Sequence, residues 1–256
     1  MTQAVHSAEG EDRSSYQKVG PWTSDAFGLA KATEATNWTD PTFAENWANL
    51  HGERKPRGAY HFFHPEMNAA EQAEFFMSVL HKNGLEPGDM LVIDSEIIAG
   101  PGGVLGFTDA NWTERANVAL SGTIGSPELV GSGTLTFLET VASLAGPGHP
   151  LLVYTNLSVG RLLGSCTHFD LWIAYPADSA PASVAPWPRW RFWQWAFGGG
   201  EGGGDRDAYN GTVEELDAWI SSFKPEPSPP PAPPAPHPPQ PAPPPPAPPT
   251  PPLPTP

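Results

Sequence analysis

The chain of 256 residues contains a single cysteine, Cys166. An internal disulfide is impossible, so stability has to come from a packed core. Basic residues are scarce: 13 Lys and Arg stand against 28 Asp and Glu, a formal net charge of −15. That balance excludes a phosphate-tracking surface for nucleic acid and a polybasic patch for anionic membranes. No run is long and apolar enough to span a bilayer, so no membrane anchor is expected. The opening residues Met1 to His6 lack the basic-then-apolar pattern of a signal peptide, and synthesis without one is the expectation. Metal-ligand spacing is missing as well: the eight histidines show no His-x-x-x-His or Glu-x-x-His. No Gly-x-Ser-x-Gly elbow is present for a serine nucleophile, and no Gly-x-Gly-x-x-Gly joins a strand to a helix for a dinucleotide. Neither a metal nor a cofactor is therefore expected.

What is present divides in two. Residues 225–256 are mostly Pro and Ala, with one charged residue, Glu226. Such a stretch cannot bury a core, and it is expected to be a disordered polyproline II tail or linker. Residues 1–224 are the right size for one large α/β domain. Apolar strand-like runs alternate with helical patterns through it: 27–33, 57–63, 89–94, 150–155, 170–175 and 190–195 read as strands. Gln3–His6 is a weak candidate for the first strand, with Gly10–Gln17 as the loop after it. Asp40-Pro41 and Asn68 look like helix starts, Thr212 caps a last amphipathic helix, and 111–120 and 133–144 read as helical. About eight strands with helical crossovers predict a (β/α)8 TIM barrel, irregular in its last strands; an open doubly wound sheet is the alternative.

The stretch Met90-Leu91-Val92-Ile93-Asp94-Ser95-Glu96 organises this reading. A buried strand ends in two carboxyls one residue apart, so alternation aims Asp94 and Glu96 the same way, with Cα atoms roughly 6.5 Å apart. An acid at a strand end is ordinarily a helix cap. Two on one face, with a glycine-rich loop behind them, suit chemistry that needs one protonated and one ionised carboxyl. Asp12, Glu34, Tyr60, Tyr154, Trp193, Gln194 and Asp205 fall at expected strand ends on the same rim. Aromatic faces stack on pyranose rings, and acids bind hydroxyls and protonate glycosidic oxygens, so the set points to a sugar polymer. The Cα spacing lies between the retaining and inverting carboxyl separations and decides neither.

Several motifs, in order, carry a resemblance: Lys31-Ala32-Thr33-Glu34, Asp40-Pro41-Thr42-Phe43, Asn46-Trp47, Gly58-Ala59-Tyr60-His61-Phe62, Ile93-Asp94-Ser95-Glu96, Val153-Tyr154-Thr155-Asn156, Leu171-Trp172-Ile173-Ala174, Trp193-Gln194-Trp195 and Asp205-Arg206-Asp207-Ala208-Tyr209-Asn210-Gly211. Over roughly residues 10–220 the chain resembles the family 25 glycoside hydrolases, the Chalaropsis-type lysozymes common as phage endolysins and bacterial muramidases. The resemblance implies an irregular (β/α) barrel and hydrolysis of the β-1,4 bond between N-acetylmuramic acid and N-acetylglucosamine in bacterial cell-wall peptidoglycan, and a monomer is expected. It implies retention, with the substrate's own acetamido group as nucleophile. Glu96 matches the general acid, Asp94 the carboxylate that steadies the acetamido group, and Asp205 and Asp12 two further active-site acids. Glu34, Tyr60, Tyr154, Trp193 and Gln194 are the expected substrate contacts. Glu11 and Arg13 depart from the family, which has apolar residues there, and 97–135 is longer than usual. A chitinase-like hydrolase and a non-catalytic glycan-binding barrel remain as rivals. The first usually has a further Asp where this chain has Val92, and the second needs no acid pair.

Overall fold

In a computed structural model the described residues are 8–96, 99, 100, 103, 104 and 127–225. The chain forms two compact units, Met1–Pro225 and Glu226–Pro256, and every described residue lies in the first. Eight strands close into a barrel: β1 Glu9–Arg13, β2 Phe27–Glu34, β3 Arg57–Phe62, β4 Met90–Asp94, β5 Leu151–Asn156, β6 Asp170–Ala174, β7 Phe192–Ala196 and β8 Asp205–Tyr209. Neighbours from β1 to β7 are parallel. β8 runs antiparallel to both β7 and β1 and closes the ring.

Alternation sorts the strand residues into two layers, as the period of two requires. Phe27, Leu29, Tyr60, Met90, Val92, Leu152, Tyr154, Trp172, Phe192 and Tyr209 form the interior cluster. Their neighbours Ala30, Ala32, Ala59, Leu91, Ile93, Val153, Leu171, Ile173 and Trp193 face outward into a second cluster with the helices. Helices α1 (Phe43–Gly52), α2 (Ala69–Lys82) and α3 (Pro127–Ala145) cover β2 to β5. Short turns replace full helices after β5 and β6, which is the irregularity expected of the last strands. Helix α4 (Val213–Ser221) starts at a Thr212–Glu215 capping box and sends Leu216 and Ile220 into the interior cluster.

Two expectations change and two lie outside the described residues. The proposed strand at 3–6 and the helix at 111–120 lie outside the described residues. The first strand is Glu9–Arg13, in the stretch read from sequence as a loop. Glu11 and Arg13 hid it: both are fully buried on the outer face of β1, where they form an ion pair. Asp40 is not the cap of α1. Its carboxylate accepts from Thr42 N and Thr42 Oγ1 at 2.8 and 2.6 Å and from Ser15 N at 2.8 Å, one turn before the helix begins. Asn68 does cap α2, accepting from Ala70 N at 2.9 Å and Glu71 N at 3.2 Å.

Candidate active site

The end of β4 is held from behind. Ser95, between the two acids, points outward, where its Oγ meets Thr134 Oγ1 of α3 at 2.8 Å. Its carbonyl accepts from Thr155 Oγ1 at 2.7 Å, and its N–H donates to Tyr154 O at 2.9 Å. With Ser95 fixed outward, Asp94 and Glu96 on either side face inward, into one cavity of about 340 Å³. Asp12, Ser14, Tyr16, Gln17, Lys31, Tyr60, Phe62, Tyr154, Trp172, Gln194 and Asp205 complete its wall.

Asp205 reaches this rim because β8 is antiparallel. It begins its strand where the parallel strands end, opposite Asp12 in register. Gln194 joins the two acids: its Nε2 donates to Asp12 Oδ2 at 2.8 Å and to Asp205 Oδ2 at 3.3 Å. Its Oε1 accepts from Tyr154 O–H at 2.8 Å, which fixes the amide's orientation. The second oxygen of Asp205 accepts from Gly198 N at 2.6 Å.

Among the described residues the cavity holds four carboxyls, Asp12, Asp94, Glu96 and Asp205, and one lysine, Lys31. Burial first, then the charge of Glu96, pushes Asp94 well above the usual carboxylate range. Burial also raises Glu96, to about 7; Lys31 works against that shift and Asp205 adds to it. The expectation that Asp94 stays ionised while Glu96 alone keeps a proton becomes a statement about the pair. Burial raises both carboxyls, and Asp94 is the more deeply buried partner. Burial and then Asp205 raise Asp12 to about 8. Below it lies Asp207, fully buried, with one oxygen accepting from Trp172 Nε1 at 2.7 Å and the other without a hydrogen-bond partner. Burial, then Asp12, drives Asp207 upward too.

Two expected substrate contacts sit elsewhere. Trp193 faces away from the cavity into the layer between sheet and helices, its Nε1 donating to Tyr175 O at 2.7 Å. Gln194, one residue on, takes the inward position. Glu34 is buried beside the cavity, where it binds Lys31 Nζ at 2.8 Å and His64 Nε2 at 3.3 Å. His64 also meets Glu66 at 2.9 Å, and these two carboxylates outweigh its burial, raising it to about 9. Glu34 thereby steers the cavity's cation. Lys31, Phe62 and Trp172 were missed among the cavity residues; Lys31 and Phe62 share parity with Leu29 and Tyr60, which face inward, and Trp172 belongs to the interior cluster. Tyr16 lines the cavity while 69% exposed, which gives the rim an aromatic surface open to solvent. Among the described residues no group of His, Cys, Asp and Glu is arranged to hold a metal ion.

Such a cavity can donate a proton to a bridging oxygen, steady positive charge at a sugar carbon and stack a pyranose ring. The comparisons agree. The sequence is 28% identical over 229 residues to "Lysozyme M1" of Streptomyces globisporus, covering 81% of this chain and 69% of that protein. It is 29% identical over 227 residues to the "N,O-diacetylmuramidase" of Chalaropsis sp, covering 81% and 96%. A solved muramidase from Acremonium alcalophilum shares the fold at a TM-score of 0.66 and 23% identity, covering 84% of this chain and 99% of that one. The profile of Glycosyl hydrolases family 25 matches residues 8–202, and the chain belongs to that family.

Proposed function

We propose that the protein is a lysozyme of the muramidase type, cutting the β-1,4 bond from N-acetylmuramic acid to N-acetylglucosamine in peptidoglycan, and that it works at the cell wall as a monomer. The observation that carries the reading is the pair Asp94 and Glu96, on one cavity wall, each carboxyl raised by burial so that it holds a proton more readily. The proton on Glu96 passes to the glycosidic oxygen as the bond from C1 breaks. The carbonyl oxygen of the muramyl 2-acetamido group then bonds to C1, while ionised Asp94 accepts the acetamido N–H. Glu96, now a carboxylate, takes a proton from water, whose oxygen attacks C1 as the C1 bond to the acetamido oxygen breaks, regenerating the acetamido group and leaving the sugar with its configuration retained. Asp12 and Asp205, linked by Gln194, face this centre from the opposite wall and bind sugar hydroxyls. Tyr60 and Tyr154 give the ring its apolar bed.

Val92, two residues before Asp94, lies fully buried in the barrel interior, so the third acid of a chitinase-like pattern is absent. Mass analysis of fragments from digested peptidoglycan tests the proposal. Muramic acid at the reducing ends is expected. Glucosamine at the reducing ends, or turnover of chitin oligomers with intact walls untouched, overturns it.

A further inference from the structure

The outer face of β1 carries Glu11 and Arg13, fully buried and ion-paired with each other. A buried pair costs desolvation, and apolar side chains there would pack against neighbours without that cost. What the pair touches explains its place. Arg13 donates to Gly20 O at 3.1 Å and Pro21 O at 2.9 Å, and its guanidinium lies 3.7 Å from the centre of the Trp22 ring. Glu11 accepts from Gly202 N at 3.1 and 3.3 Å. Gly202 belongs to the glycine-rich loop 198–204 between β7 and β8, which ends at Asp205.

That loop lies directly on the pair. A Cβ on Gly200 would overlap the Glu11 carboxylate, one on Gly202 the Arg13 guanidinium, and one on Gly204 the Asp12 carbonyl oxygen. Only glycine allows this approach. From its exposed side the loop is latched by Glu201, which accepts from Thr23 Oγ1 at 2.8 Å and from Ser24 N and Oγ at 3.1 and 3.0 Å. At its two ends Gly198 N binds the Asp205 carboxylate, and Asp205 starts β8.

We propose that Glu11 and Arg13 are positioning residues: they seat the glycine loop and through it hold Asp205 against Gln194 and Asp12 on the cavity wall. The proposal rests on the muramidase reading of that cavity. It accounts for two charges on a barrel strand, for glycine at three loop positions and for the register of Asp12 with Asp205.

Three variants, with Arg13→Met as the reference for Arg13→Lys, test it, assayed on soluble wall fragments beside Glu96→Gln. Gly202→Ala pushes the loop off Arg13 and leaves the pair in place. Arg13→Lys keeps the charge and loses the forked contact to Gly20 and Pro21. Glu201→Ala releases the latch from the solvent side without touching the core. A displaced Asp205 lowers kcat by about ten- to a hundredfold, the scale of a ~1 Å misplacement, and raises KM as its hold on sugar hydroxyls weakens. The pH profile gives the second readout. Glu96 faces Lys31, Asp94 and Asp205, and the Asp205 charge holds Glu96 up. Withdrawing Asp205 therefore moves the alkaline limb of kcat to lower pH, which a loss of stability alone does not do. Arg13→Lys is expected to recover part of the activity lost in Arg13→Met. Should Gly202→Ala fail to fold, Glu201→Ala carries the test, with a smaller fall in kcat and a limb shift in the same direction. A folded loop variant with wild-type kcat and an unmoved limb overturns the proposal. An active Glu96→Gln overturns the muramidase reading instead, so the two failures are separable.

Discussion

Gln194 is the joint of the cavity wall, and replacing it with leucine separates two accounts of the site. Its amide donates to Asp12 at 2.8 Å and Asp205 at 3.3 Å while accepting from Tyr154 at 2.8 Å. With Asp12 raised to about 8 its bond to the amide counts as neutral, ~0.5–1.5 kcal/mol, and a buried polar group left alone costs ~1–3 kcal/mol. In Gln194→Leu the short bond to Asp12 counts in full, the longer one adds little, and the Tyr154 hydroxyl is orphaned. Placing ~2–3 kcal/mol of this loss in the transition state lowers kcat roughly 30- to 160-fold. Tyr154→Phe removes one neutral bond from the same joint and is expected to cost about threefold, ~0.6 kcal/mol. The assay is release of reducing ends from soluble wall fragments, with circular dichroism confirming the fold. A folded Gln194→Leu enzyme with kcat within about threefold of wild type would refute the idea that this amide organises the carboxylates.

Two other outcomes follow from the same geometry. Glu96 must carry the proton it donates, and burial holds that carboxyl at about 7, so kcat declines as pH rises through about 7; Lys31→Met removes the charge opposing that shift and moves the decline to higher pH, as a pH profile reads directly. At the other end of the barrel, Arg57 binds Asp89 with two bonds of 2.8 and 2.9 Å, both side chains buried. Arg57→Met strands the Asp89 charge at ~3–5 kcal/mol, lowering Tm by about 6–20 °C in a thermal melt while activity per folded molecule is retained.

The acid pair was legible because a strand's period of two needs no knowledge of the rest of the molecule: Asp94 and Glu96 face together whatever surrounds them. The alternation of strands and helices was legible in the same way, and so was the Asn68 cap, a contact within four residues. Trp193 and Gln194 show the limit. Both were read as rim residues, but adjacent strand residues cannot both face inward, and only the register of β7 against β6 and β8 decides between them. Asp207 was illegible because its burial depends on β8 reversing direction and lying beside β1, a contact 197 positions apart in the pairing of Gly10 with Asp207. The first strand was hidden for a related reason. Glu11 and Arg13 look like surface charges until each is seen to neutralise the other beneath a loop from the far end of the barrel.

In this mechanism the carboxyl pair ending β4 delivers a proton to a bond between two amino sugars. Clearing of a peptidoglycan suspension by Glu96→Gln, measured beside the wild type at matched thermal stability, decides whether it does. The amide cannot give up a proton and leaves the shape of the cavity unchanged, so walls bound but not cleared are the expected result. Clearing at the wild-type rate would contradict the account.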